Sequence, residues 1–191
     1  TGPAGVLGDT GARRAAAPAG SRLHYVSVEG YPLSKADLEK ALSAWPELAS
    51  EAKELIAAYP SLHPGFHRLN LSNGRVRLTL LFGDVSEMLD QVSGQVDAWF
   101  LDGFAPSKNP DMWRPAVFEA MAARSRPGAS LATFTADATV GPSGVHVGGH
   151  VGSLDAAAVI AAAREHERCC EQRAGAGCEP VLSQNVPLVI R

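Results

Sequence analysis

Residues 96–113 constrain this chain more than any other part of it. Val96-Asp97-Ala98-Trp99-Phe100-Leu101 is an apolar, β-rich run. It passes into Asp102 and Gly103, then into a loop, Phe104-Ala105-Pro106-Ser107-Lys108-Asn109-Pro110-Asp111-Met112-Trp113, bounded by prolines and carrying aromatics at both ends. An open α/β sheet delivers a carboxylate to the carboxyl edge of its strands in this way, and such sheets bind ligands along that edge. Gly103 lets the backbone turn where a side chain would clash, and Pro106 limits the freedom of the loop. Asp102, held beside an aromatic ring on a stiff loop, is suited to orienting a cationic or amine substrate.

The remaining pattern supports an α/β class. Leu23–Glu29 reads as a strand ending on an acid, and Gly30-Tyr31-Pro32 turns the chain. Ser34 with Asp37 three residues on is a helix-start signal, with Leu33 and Leu38 spaced as a hydrophobic staple. The helix breaks at Pro46 and resumes from about Glu47 to Tyr59, with Leu48, Ala52, Leu55 and Ile56 as its apolar stripe. Phe66–Leu71 and Arg75–Phe82 are strand-like runs joined by Ser72-Asn73-Gly74, a hairpin signal. Gly83-Asp84 ends the second run. A short helix over Val85–Val92, a strand over Asp97–Leu101 and a helix over Pro115–Arg124 follow, the last with proline in its first turn. Pro127-Gly128 should then turn the chain into a strand over Ser130–Thr135.

Strands alternating with helices predict parallel α/β units with one antiparallel hairpin inserted. Three strands end on acids, Glu29, Asp84 and Asp102, and in a parallel sheet those ends share one edge. Beyond Thr135 the texture changes: Gly141–Gly152 is glycine-rich, Leu154–Cys170 reads as an alanine-heavy helix, Ala174–Pro180 as a loop, and Val186–Ile190 as one short strand. The expected organisation is a poorly ordered lead-in over 1–21, an α/β domain over 22–136 and a divergent glycine- and alanine-rich tail over 137–191.

Bulk properties narrow the function classes. The chain has 191 residues, 46% of them apolar, enough for one buried core. A net charge of −3 supplies no global field to attract a polyanion. Three cysteines, Cys169, Cys170 and Cys178, form no secreted disulfide framework, so a reducing cytoplasm is expected. No segment approaches the roughly 18 apolar residues of a membrane span. The chain opens on Thr1, which reads as a fragment of a longer protein. His146, His150, His166 and the cysteines lack the spacing of a zinc site, so no metal is expected. His24, His63 and His67 read as packing or surface residues.

Each acid alone is ambiguous with a solvated turn. Glu29 sits where nucleotide-binding sheets place an acceptor for ribose hydroxyls. Asp84, after Gly83, can face an adenine amino group or water. Phe104 and Trp113 can pack on a planar ligand or cover the core, and Lys108 can meet a phosphate or only solvent.

The stretches Tyr25-Val26-Ser27-Val28-Glu29 with Pro32-Leu33, Leu80-Leu81-Phe82-Gly83-Asp84, Asp97 through Trp113, and Leu131-Ala132-Thr133-Phe134-Thr135 resemble the methyltransferase domain of the bacterial bifunctional MnmC family. That family completes 5-methylaminomethyl-2-thiouridine at the tRNA wobble position. The resemblance implies a class I, Rossmann-like fold, S-adenosylmethionine as methyl donor, and the primary amine of 5-aminomethyl-2-thiouridine in tRNA as acceptor. It further implies Asp102 as the catalytic acid, and Glu29, Gly83 and Asp84 as cofactor-binding residues, Glu29 at the ribose and Asp84 at the adenine. Phe104, Pro106 and Lys108 would bind substrate. The family also carries a strand and a glycine-rich loop ahead of the Glu29 strand. Thr1–Gly20 holds no such motif, so the sheet is expected to be incomplete and the chain truncated or divergent at both ends. The family's second, FAD-dependent oxidase domain has no counterpart in this sequence. Two other readings stay open: a non-catalytic binding module without the cofactor loop, and an N-methyltransferase for small amines. Oligomeric state is not readable from the sequence.

Overall fold

A computed structural model describes residues 20–101, 110–133, 152–153 and 185–190. The expected glycine-rich stretch is outside these residues except for its last glycine, and the expected helix over Leu154–Cys170 and loop over Ala174–Pro180 are wholly outside. The strands are β1 (Leu23–Glu29), β2 (Gly65–Leu71), β3 (Val76–Phe82), β4 (Val96–Leu101), β5 (Ser125–Thr133), β6 (Gly152–Ser153) and β7 (Asn185–Ile190). The helices are α1 (Lys35–Leu42), α2 (Ala49–Ala58), α3 (Val85–Gln91) and α4 (Pro115–Arg124), with short 3-10 turns at Pro46–Leu48 and Pro110–Trp113.

Local chemistry sets most of these boundaries. Ser34 caps α1: its hydroxyl oxygen accepts from the Asp37 backbone N–H at 3.1 Å and its hydroxyl donates to the Asp37 carboxylate at 2.6 Å. Asp84 caps α3 by accepting from the Ser86 N–H at 2.9 Å. Pro46, which cannot continue a helix, separates α1 from α2 through a 3-10 turn, so α2 starts at Ala49, two residues later than the expected Glu47. The β2–β3 hairpin turns through Ser72, Asn73 and Gly74, all left-handed at φ 53°, 54° and 78°. Glu54 of α2 steadies the turn by accepting from the Ser72 N–H at 2.8 Å.

The sheet order is β2-β3-β1-β7-β4-β5-β6. β1 is parallel to β3 and β4 to β5, while β2 is antiparallel to β3, as expected of an inserted hairpin. β7 runs antiparallel between β1 and β4. One expectation needs correcting. Pro127-Gly128 does not precede a strand starting at Ser130; β5 begins at Ser125. Its register against β4 jumps from Val96↔Ser125 to Ala98↔Ser130. The proline and the left-handed Gly128 (φ 80°) therefore lie in a bulge, which absorbs a residue without an N–H.

Helices cover both faces. On one, α3 and α4 bury Val85, Leu89, Val117 and Met121 against Val28, Leu81, Trp99 and Leu101. On the other, α1 and α2 bury Leu38, Leu42, Ala52 and Leu55 against Tyr25, Leu69, Leu78 and Phe82. Trp99 is fully buried, and its indole N–H donates to the Ser125 hydroxyl at 2.9 Å, which donates in turn to the Met121 carbonyl at 2.8 Å. The hydroxyl thus satisfies the one polar atom of the largest core side chain.

Candidate functional site

From β1 the chain builds outward to β3 and β2; from β4 it builds the other way, to β5. The sheet therefore reverses direction between β1 and β4, the point at which open α/β sheets form a ligand crevice at their carboxyl ends. β7 fills the slot between them only in part. Its pairing with β1 continues from Ile190 to Asn185, but its pairing with β4 stops at Leu188↔Trp99. The next residue is Pro187, which has no N–H to donate to a ladder. The sheet accordingly parts between β7 and the carboxyl end of β4, while β7 stays paired to the end of β1.

Glu29 closes β1 in register with Phe82 of β3, and its carbonyl accepts the Gly83 N–H at 3.0 Å. The ends of β1 and β3 are thereby tied together, and Glu29, Gly83 and Asp84 share the carboxyl edge. Their side chains lead in different directions. The Glu29 carboxylate accepts from the Ser27 hydroxyl at 3.2 Å, on the α1–α2 face. Tyr59 sits near it, its hydroxyl donating to the Leu33 carbonyl at 3.1 Å. Burial first, and the Glu29 charge second, push the Tyr59 phenol up to about 12, so it stays a neutral donor at any physiological pH.

Asp84 faces the other layer. One carboxylate oxygen caps α3; the other lies 3.6 Å from the Arg114 guanidinium. Arg114 also approaches Asp111 at 3.5 Å and donates to its carbonyl at 3.1 Å. It thus links the edge at Asp84 to the 3-10 turn that follows residues 102–109. That turn is anchored in the core: Met112 is 1% and Trp113 3% exposed, with Trp113 tilted against Phe118 at a centroid distance of 6.1 Å. The sequence left Trp113 open between stacking on a ligand and covering the core; it covers the core. Leu101, just ahead of Asp102, is likewise buried.

Asp102, Phe104, Pro106 and Lys108 fall outside the described residues. Among the sequence candidates, the structure brings together Glu29, Gly83 and Asp84. Sequence reasoning missed Ser27, Tyr59 and Arg114 as their neighbours. Ser27 was detectable, since residues i and i+2 of a strand share a face. Tyr59 and Arg114 lie 30 residues from the acids they meet, and no local pattern reports such pairs.

The chemistry of this edge suits a nucleoside. A strand-end carboxylate, a glycine without a Cβ and a second carboxylate lie along the carboxyl edge of β1 and β3, two strands that run parallel. Among the described residues, no three His, Cys, Asp or Glu side chains cluster as a metal site.

Residues 46–158 match the model of a family described as S-adenosyl-L-methionine-dependent methyltransferase. The chain is also similar to proteins called tRNA 5-methylaminomethyl-2-thiouridine biosynthesis bifunctional protein MnmC. The one from Chromobacterium violaceum is 60% identical over 126 residues, 66% of this chain and 19% of the relative. That from Ectopseudomonas mendocina is 58% identical over 119 residues, 62% of this chain and 18% of the relative. That from Pseudomonas entomophila is 52% identical over 132 residues, 69% of this chain and 20% of the relative. The chain spans about a fifth of the length of these relatives.

Proposed function

The chain belongs to the S-adenosyl-L-methionine-dependent methyltransferase family, and from that premise we propose that it methylates the aminomethyl nitrogen of 5-aminomethyl-2-thiouridine at the wobble position of cytoplasmic tRNA. The observation that carries this reading is the parting of the sheet at its switch point. Glu29, Gly83 and Asp84 lie on the carboxyl edge to one side of that opening, across β7, and β4, on its other side, precedes Asp102 in the sequence. The printed name of the relatives supports the choice of tRNA and of this nucleoside.

In this reading Glu29 holds the ribose hydroxyls of the donor, Gly83 lets the nucleoside approach the backbone, and Asp84 meets the adenine amino group. S-adenosylmethionine supplies a methyl group already activated on a sulfonium. The acceptor amine is largely protonated near neutral pH and has no lone pair to offer. The Asp102 carboxylate binds the ammonium, aligns it and accepts its proton directly or through water. The freed nitrogen then forms its bond to the methyl carbon as the carbon–sulfur bond breaks. Phe104 and Pro106 shape the acceptor pocket and Lys108 meets a tRNA phosphate. FAD, which the resemblance to the MnmC family implies for a separate oxidase domain, is assigned to none of this chain's residues.

Methyl-labelled donor and hypomodified tRNA test the reading directly. Label should enter tRNA with the unaltered chain and not with Asp102→Ala, whose melting temperature should be unchanged. Full transfer by Asp102→Ala overturns the catalytic assignment. One observation favours a second reading, a non-catalytic binding module: the slot between β1 and β4 is taken by an antiparallel strand, so the amino end of β7 occupies the ligand-facing edge. Absence of label with the unaltered chain, alongside retained tRNA binding, selects that alternative.

A further inference from the structure

The register of β1, β2 and β3 places one set of side chains on a single face. His24 is opposite Arg77, and Val26 opposite Thr79; Thr79 and Arg77 are opposite Arg68 and Asn70 of β2, and Leu81 is opposite Phe66. This is the face that α3 and α4 cover over Val26, Val28 and Leu81. Toward the β2 edge and the amino ends of β1 and β3, the cover stops among the described residues. Phe66 is 47% exposed, Arg68 and Asn70 are exposed, and Arg77 and His24 are half-buried. Arg22 and Arg75, at the foot of β1 and β3, are exposed as well.

The cations here converge. Arg77, Arg22 and Arg68 all act on the His24 imidazole, which burial and these three charges hold below its ordinary value. None of Arg22, Arg68, Arg75 and Arg77 has an acid partner among the described residues. Arg114, Arg124 and Arg126, in contrast, each face an aspartate. In a chain whose net charge is −3, four guanidiniums without an acid partner among the described residues, beside an exposed phenylalanine, are a local feature and not a consequence of composition.

We propose that this open face of β2, β3 and β1, with Arg22, Arg68, Arg77, His24 and Phe66, is a docking strip for the RNA phosphate backbone. Electrostatic complementarity commits it to a polyanion, and the exposed aromatic offers a stacking surface to an unpaired base. The distances suit one RNA engaging both strip and site. Phe66 stands opposite Leu81, one residue from the end of β3, and Arg68 opposite Thr79, three residues from it. The arginines therefore begin about 10 Å from the carboxyl edge and reach Arg77 at about 17 Å, at a rise near 3.3 Å per residue. A stem lying along the strip leaves a loop nucleotide free to turn over the edge toward β4. The inference deepens the tRNA reading and rests on it for the identity of the RNA.

The full chain should bind unmodified tRNA with a log-log salt slope that falls by about one for each arginine removed. Each phosphate contact contributes about 0.7 to 0.9 log units between 1 M and 0.1 M salt. Arg68→Gln with Arg77→Gln should therefore weaken binding about 25- to 60-fold at 0.1 M. Arg68→Lys with Arg77→Lys should retain the slope, and Lys40→Gln on the opposite layer should change nothing. Equal tRNA affinity of the double glutamine variant, folded by its melting curve, overturns the strip while leaving the methyltransferase reading intact. Loss of tRNA binding in a chain that also fails to bind S-adenosylmethionine supports the strip and overturns that reading. Preference for phosphatidylserine vesicles over tRNA overturns the RNA assignment.

Discussion

Substitutions at Asp84 separate a structural duty from the proposed adenine contact. One carboxylate oxygen accepts the Ser86 N–H at 2.9 Å and starts α3; the other lies 3.6 Å from Arg114. Alanine removes both. Loss of an aspartate cap costs about 1 kcal/mol. The ion pair, with its side chains 36% and 47% exposed, adds at most about 0.5 kcal/mol after solvent screening. The sum of about 1.5 kcal/mol corresponds to a fall in Tm of about 3–6 °C for a chain of this size. Serine caps as well as aspartate but is too short to reach Arg114, so Asp84→Ser should lose only about 1–2 °C. Both variants lack the carboxylate proposed to meet the adenine. A hydrogen bond to a charged group contributes about 1.5–3 kcal/mol, so both should weaken S-adenosylmethionine binding by roughly 10- to 150-fold. Differential scanning calorimetry and titration calorimetry read the two effects separately. Equal melting temperatures for the serine and alanine variants would refute the capping argument, and unaltered ligand affinity in either would refute the adenine assignment.

Three further outcomes follow from the same geometry. Gly83 has φ 154°, and a Cβ there would meet the Met88 Cε at 3.0 Å, so Gly83→Ala should destabilise by about 1–3 kcal/mol in urea unfolding; a change under about 0.5 kcal/mol would contradict this. Ser125→Ala orphans the buried Trp99 N–H and should cost about 1–3 kcal/mol, whereas Ser125→Thr, which keeps the hydroxyl, should cost less. Burial, then Arg77, Arg22 and Arg68, lower the His24 pKa in the folded chain. Its contribution to stability is therefore present above the unfolded value of 6.5 and is lost as pH falls through the lowered one. His24→Asn should flatten the melting temperature between about pH 7 and pH 5, and an unchanged profile would count against that electrostatic account.

Where local chemistry decides an element, the sequence alone located it. β1 from Leu23 to Glu29 and α4 from Pro115 to Arg124 have the bounds read from β-rich alternation and from a first-turn proline. The Ser34 cap and the Asn-Gly hairpin were legible for the same reason. The bulge at Pro127-Gly128 was not, because it depends on how β5 meets β4. A short strand near Val186–Ile190 was visible from its apolar run, but not its antiparallel seat between β1 and β4, which is set by strands about 90 and 160 residues earlier. At the site, three strand-end acids pointed to one edge; the Gly83–Glu29 backbone hydrogen bond ties the ends of β1 and β3 together there, with the Glu29 and Asp84 carboxylates turned to opposite faces. Arg114 at Asp84 and Tyr59 near Glu29 escaped notice because long-range pairing leaves no periodic trace.

Titration of the chain with S-adenosylmethionine in a calorimeter, paired with a thermal melt at saturation, tests most directly whether the parted edge between β1 and β4 is a nucleoside site. One saturable site is expected, together with a rise in Tm equivalent to about 2.7 kcal/mol at a hundredfold excess over Kd, and both signals should weaken in Glu29→Ala. No heat and no shift in Tm at millimolar ligand would contradict the account.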